Sequence, residues 1–130
     1  ARAIVEARQE KPIETSGQLV EIIKESVPKR FSKINPATKT FQALRIAVND
    51  ELGALREGLA KGFQHLSPLG RMAVISFHSL EDRIVKEFFR QKKEEGTGTL
   101  VTKKPIIPTD AEVKENPKSR SSKLRIIIKN

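Results

Sequence analysis

Apolar residues fall into helical spacing over most of the first half of the chain and into short uninterrupted runs in the second. Residues 2–10 carry a helical pattern that ends before Pro12. Thr15 or Ser16 caps a second predicted helix through Leu19, Val20, Ile22, Ile23 and Val27, and Pro28 closes it. Asn35-Pro36 offers an N-cap followed by a proline at the first helical position, so it opens a third and longest helix reaching about Leu59. Phe41, Leu44, Val48, Leu52, Leu55 and Leu59 form one stripe on it, the expected core face. A second stripe, Thr38, Gln42, Arg45 and Asn49, is polar but carries little charge, which suits either polar packing or ligand contact.

Ser67-Pro68-Leu69-Gly70 reads as a turn. Met72 to Ile75 are then apolar without alternation, as in a strand buried on both faces, and the strand is expected over Arg71–Phe77. Ser76, Phe77, His78 and Ser79 gather at its carboxyl end, where open α/β sheets bind ligands. Ser79 and Asp82 have the spacing of a capping box, and Leu80, Ile84, Val85, Phe88 and Phe89 give the following helix its apolar face. Gly96-Thr97-Gly98 is a flexible stop. Leu100-Val101-Thr102 is a short strand, residues 106–122 are loop-like, and Leu124 to Lys129 form the last strand in the same sheet.

The charge changes the picture. Twenty-five Lys and Arg against 16 Asp and Glu leave a net charge of +9 on 130 residues, which points to a polyanionic partner, RNA or DNA before lipid. With no Trp or Tyr, phosphate contact is expected to outweigh base stacking. No apolar run approaches the roughly 20 residues of a membrane span, so no membrane partner is expected and a cytoplasmic location is the default. Without Cys there is neither a disulfide nor a thiolate metal site, and two His provide no metal cluster. His65 reads as structural, whereas His78 at a strand end suits a hydrogen-bonding or acid/base role. Lys29, Arg30 and Lys33 around Phe31 form a basic connector that is either solvated or on phosphate.

Three blocks carry a resemblance. They are Asn35-Pro36-Ala37-Thr38-Lys39-Thr40-Phe41-Gln42-Ala43-Leu44-Arg45, then Val74-Ile75-Ser76-Phe77-His78-Ser79-Leu80-Glu81-Asp82-Arg83, then Thr102-Lys103-Lys104-Pro105 with Asn116-Pro117-Lys118-Ser119-Arg120-Ser121-Ser122-Lys123-Leu124-Arg125. In order and spacing the chain resembles the bacterial small-subunit (16S) ribosomal RNA cytosine-N(4)-methyltransferases of the MraW type, with one departure at Asn35, where that family often has His.

The resemblance implies an α/β chain: residues 1–33 as the end of a helical insert, and residues 34–130 as the C-terminal part of a Rossmann-like class I methyltransferase domain. The Gly-rich loop and acidic residue for S-adenosylmethionine would lie upstream, so this portion alone is expected to bind that cofactor poorly, to be inactive by itself, and to need no metal. The unguarded helix at Arg2–Arg8 also reads as the interior of a longer protein. The implied substrate is the exocyclic amine of a cytosine in small-subunit ribosomal RNA. The implied pocket, or its surroundings, comprises Thr38, Gln42, Arg45 and Asn49 with Ser76, His78 and Ser79 as catalytic candidates; Lys103, Lys104, Lys118, Arg120, Lys123 and Arg125 would hold RNA phosphates. An open sheet edge and an uncovered apolar face would favour self-association. The competing reading is a basic RNA-binding module without catalysis.

Overall fold

Local side-chain hydrogen bonds mark the starts of the second and third helices. The computed structural model describes residues 1–27 and 35–130, which divide into a unit of residues 1–49 and a unit of residues 50–130. The boundary expected at residues 33/34, the closing Pro28 and the basic connector of Lys29, Arg30, Phe31 and Lys33 lie outside the described residues.

In the first unit, α1 (Arg2–Glu10) and α2 (Ser16–Ser26) pack together, and α2 buries Ile23. Thr15 caps α2: its hydroxyl accepts from the Gln18 amide at 3.3 Å, while Gln18 Oε1 accepts from the Thr15 amide at 3.0 Å. Asn35 Oδ1 accepts from the Ala37 amide at 2.9 Å and closes a turn, so α3 (Thr38–Asn49) begins at Thr38.

The expected single helix from Asn35 to Leu59 is two helices. Asp50 takes the left-handed conformation (φ 47°), which Asp tolerates better than most residues, and α4 (Glu51–His65) begins after it. A Cβ at Gly53 would meet only the exposed Asp50 carboxylate, which can swing aside, so the break rests on the Asp50 backbone. The apolar stripe is cut with the helix. Leu59 is buried and Leu52 and Leu55 pack at the core's edge, but Phe41 and Leu44 are exposed and Val48 is 82% exposed.

The second unit is built on a sheet of β1 (Arg71–Ser76), β2 (Gly98–Leu100) and β3 (Lys123–Lys129), in the order β1-β3-β2. Both outer strands run antiparallel to β3, hence parallel to each other. They are joined by α5 (Ser79–Glu94), which packs on all three strands, and α4 packs against α5. Met72, Ile127 and Leu100 line up across the sheet under α5. With Leu59, Phe63, Ile84, Val85 and Phe89 they form the core, where Ile127 and Val85 are almost wholly enclosed.

Glycines permit two close approaches. A Cβ on Gly70 would sit 2.7 Å from the Ser67 carbonyl, which holds the turn before β1. A Cβ on Gly98 would sit 2.7 Å from Ile127 Cδ1, so β2 starts at Gly98, two residues before the expected strand, and the presumed flexible stop ends in the sheet.

Two further expectations need correction. β1 is packed on one face only: Met72, Val74 and Ser76 turn inward, while Ile75 is 59% exposed. The stretch 106–122 is ordered rather than loop-like. Ile106 forms a bridge with Leu124, α6 (Asp110–Glu115) is capped by the Thr109 hydroxyl accepting from the Glu112 amide at 3.2 Å, and Pro117–Ser121 form a 3-10 turn.

Along β3 the alternation is inverted in chemistry. Leu124, Ile126 and Ile128 face away from α5, and the inward face carries Lys123, Arg125, Ile127 and Lys129. Each inward cation has a partner. Arg125 grips Asp82 on the first turn of α5 with two bonds, Nε to Oδ1 at 2.8 Å and Nη2 to Oδ2 at 3.3 Å. Lys123 Nζ reaches Asp82 Oδ2 at 3.2 Å. Lys129 Nζ donates to the carbonyls of Gln64 (2.8 Å) and Leu66 (2.7 Å), satisfying the end of α4.

The Arg125 hydrogen bond, reinforced by Lys123 and opposed by burial, holds the Asp82 carboxyl below its ordinary value of 3.8. A depressed carboxyl contributes stability that is complete above the unfolded value and is lost as pH falls through the folded one. Asp82→Asn is therefore expected to cost about 3 kcal/mol at neutral pH. Urea unfolding should show that gap narrowing once the pH drops below 3.8. A gap that stays constant down to pH 2 would contradict this assignment. Gly98→Ala should cost about 1–3 kcal/mol through overpacking against Ile127. Gly58→Ala, in α4 with nothing within 4 Å, should be neutral or stabilising by up to about 1 kcal/mol in the same assay.

Candidate nucleic-acid interface

The turn after β1 is locked by its own side chains. His78, not Ser79, is the N-cap of α5: its Nδ1 accepts from the Glu81 amide at 3.4 Å. Glu81 Oε2 in turn accepts from the amides of Phe77 (2.9 Å) and His78 (3.2 Å). The expected Ser79–Asp82 capping box is thus displaced by one residue, and the displacement frees Asp82 for Arg125. An accepting Nδ1 leaves the proton of the neutral ring on Nε2. That nitrogen is buried and lies 3.3 Å from Glu81 Oε1, outside hydrogen-bond geometry.

This enclosure places the three expected catalytic candidates differently. Ser76 is buried, with its hydroxyl 3.5 Å from the Lys123 carbonyl, and His78 is turned into the cap. Ser79 is exposed on the first turn of α5. Phe77, between Ser76 and His78, is 55% exposed, although its amide is fixed by Glu81. The stripe of Thr38, Gln42, Arg45 and Asn49 lies on α3 in the first unit, where Gln42 is half-buried and the other three are exposed.

The basic residues sort into two sets. Arg125, with a side chain 13% exposed, and Lys123 are committed to Asp82. Lys103, Lys104, Lys118 and Arg120 are exposed. Ser119 is buried, its hydroxyl donating to the Asn116 carbonyl at 2.8 Å, which turns Lys118 and Arg120 outward on either side of it.

Register brings the exposed cations to one end of the sheet. Ser76 pairs with Lys123, the Val101 amide donates to the Ile126 carbonyl at 3.1 Å, and Ile106 bridges to Leu124. The Lys103–Lys104 segment and the 3-10 turn therefore flank the start of β3, beside the carboxyl end of β1. Such an end presents phosphate-binding charge next to the place where α/β sheets carry ligands.

Among the described residues no group of three or more acidic or His side chains could hold a metal ion, and no helix is long and apolar enough to cross a membrane. In the turn after β1 the amides of Phe77, His78 and Glu81 are taken by the side chains of Glu81 and His78, and Asp82 is neutralised by Arg125 and Lys123.

Sequence reasoning placed Phe77 at the strand end without giving it a role and took Glu81 with Asp82 as a possible site pair; it missed the His78–Glu81 cap and the burial of Arg125. A period of two along Lys123-Leu124-Arg125-Ile126-Ile127-Ile128-Lys129 does place the cations and the apolar residues on opposite faces. Which face turns inward is decided by Ile127 and Asp82 together.

Comparison with known proteins identifies the family of the chain. The MraW methylase family matches residues 1–130. The chain is 54% identical over 129 residues to the ribosomal RNA small subunit methyltransferase H of Neorickettsia sennetsu, covering 99% of this chain and 43% of that protein. It is 56% identical over 128 residues to the protein of the same description from Deinococcus radiodurans, covering 97% of this chain and 39% of that one. For Symbiobacterium thermophilum the identity is 50% over 146 residues, with coverage of 99% and 46%. The chain spans less than half the length of these relatives. On the match of the whole chain and on identities of this size, it belongs to the MraW methylase family.

Proposed function

We propose that this chain is the C-terminal portion of an S-adenosylmethionine-dependent methyltransferase acting on the exocyclic amine of a cytosine in small-subunit ribosomal RNA. Within that enzyme it supplies the RNA-gripping end of a Rossmann-like sheet. Family membership and the relatives' descriptions support the reaction class. The observation that carries the RNA role is the convergence of Lys103, Lys104, Lys118 and Arg120 on one sheet end. The parallel β1–α5–β2 crossover with β3 between its strands supports the Rossmann-like reading.

The amine of cytosine is a poor nucleophile, because its lone pair is delocalised into the ring, so catalysis depends on holding the base in line and taking up a proton. This chain's part is binding and orientation. The exposed cations hold phosphates, the turn Ser76–Ser79 shapes the wall beside them, and the polar stripe Thr38, Gln42, Arg45 and Asn49 contacts substrate. Residues outside this chain hold the cofactor. The exposed apolar side of β1 and its unpaired edge among the described residues support self-association of the isolated chain. The location is the cytoplasm, where ribosomal RNA is made.

A non-catalytic RNA-binding module is the second reading, favoured by the exposed Lys103, Lys104, Lys118 and Arg120, which can hold phosphates without any cofactor. Transfer of labelled methyl groups to small subunits by the enzyme that contains this chain separates the two.

The grip itself is testable with single-stranded RNA. Affinity should fall steeply with salt, and Lys118→Ala with Arg120→Ala should weaken binding across sequences and flatten the log–log salt slope by about 1–2 units. Salt-independent binding, or an unchanged slope in the double variant, would count against the phosphate role.

A further inference from the structure

The carboxyl end of β1 holds an aromatic ring that the family of contacts described so far leaves unused. Among the described residues Phe77 is the most exposed Phe, and the chain has no Trp or Tyr to offer in its place. Its main chain is not free to drift. The Phe77 amide is held by Glu81 Oε2 at 2.9 Å, the next amide by the same oxygen at 3.2 Å, and His78 seals the turn as the cap of α5. A half-exposed apolar ring on a fixed backbone has surface to gain from a flat partner, and an aromatic side chain has only two torsions to order.

Its neighbours give the partner a charge. Ser76 is in register with Lys123, and the 3-10 turn bearing Lys118 and Arg120 runs directly into that strand. On the other side of β3, the segment with Lys103 and Lys104 returns to the bridge at Ile106–Leu124. One sheet end thus joins an exposed aromatic ring on a fixed backbone to a track of cations, the pairing used to hold unpaired nucleotides: bases stack and phosphates are neutralised.

We infer that Phe77 is a stacking platform for an unpaired base of RNA whose phosphates meet Lys103, Lys104, Lys118 and Arg120. The inference rests on the RNA-binding reading above and adds a base contact to it. It keeps the expectation that phosphate contact outweighs stacking and adds one stacked base to it. The face of an aromatic ring accepts any base, so Phe77 adds affinity and positions a nucleotide without choosing its identity.

The test titrates this chain into a short single-stranded RNA carrying pyrrolocytosine, whose emission falls when it is stacked. Wild type should bind with quenching. Phe77→Ala and Phe77→Leu should lose the quenching and bind about tenfold more weakly or worse, with an unchanged salt slope, whereas Phe77→Tyr should behave as wild type. The leucine variant keeps an apolar side chain of similar bulk, so it separates stacking from simple cover of the sheet. Salt-dependent binding with the same quenching and affinity in the alanine and leucine variants would overturn the inference and leave the phosphate grip standing. Failure of wild type to bind RNA at all would overturn both.

Discussion

An ion pair between the first turn of α5 and the middle of β3 decides how the second unit is assembled. Arg125 lies on the strand face that α5 covers, two residues from Ile127 at the centre of the core. An arginine there is tolerable only with a carboxylate in reach, because a buried charge without a partner costs several kcal/mol. Asp82 meets it with two bonds and holds Lys123 as well. That contact fixes where α5 begins. With Asp82 drawn toward the sheet, the cap falls to His78 and the carboxylate of Glu81 folds back over the amides of Phe77 and His78. The wall at the end of β1 is a consequence of the pair beneath it.

The same economy governs the rest of the charge. A surplus of nine positive charges could be spread evenly, yet several lysines and arginines are used inside the unit. Lys129 closes the end of α4 and lies 5.9 Å from the centre of the Phe63 ring, and Lys92 lies over both Phe63 and Phe88. Exposed Glu95, bonded first by Lys92 and then by Gln91, is held below its usual carboxyl range. The cations left at the sheet end are those of two short connections, Lys103–Lys104 and the 3-10 turn, and their placement follows from backbone register rather than from long-range steering.

Much of this was legible in the residues, and the parts that were not have physical reasons. Pro12 and the Thr15–Gln18 spacing mark the first two helices because capping is a local affair. The run Met72–Ile75 marks β1, but an apolar run has no way of saying that only one of its faces is covered in this chain. The break at Asp50 is invisible to periodicity, since the apolar stripe continues in phase through Val48 and Leu52 and only the backbone at Asp50 interrupts it. His78 and Ser79 are adjacent candidates for one cap. Choosing between them requires the partner of Asp82, which lies 43 residues further on. The cluster of basic residues was readable as a cluster, but not that Arg125 turns inward and Phe77 outward.

The central claim is that Asp82 and Arg125 act as one unit. A double-mutant cycle with Asp82→Ala, Arg125→Met and the combination, followed by urea unfolding at pH 7, measures that directly. The account predicts a coupling of about 2 kcal/mol, with the double variant more stable than the sum of the single losses, because removing both charges leaves neither one buried alone. Losses that add to within about 0.5 kcal/mol would contradict it.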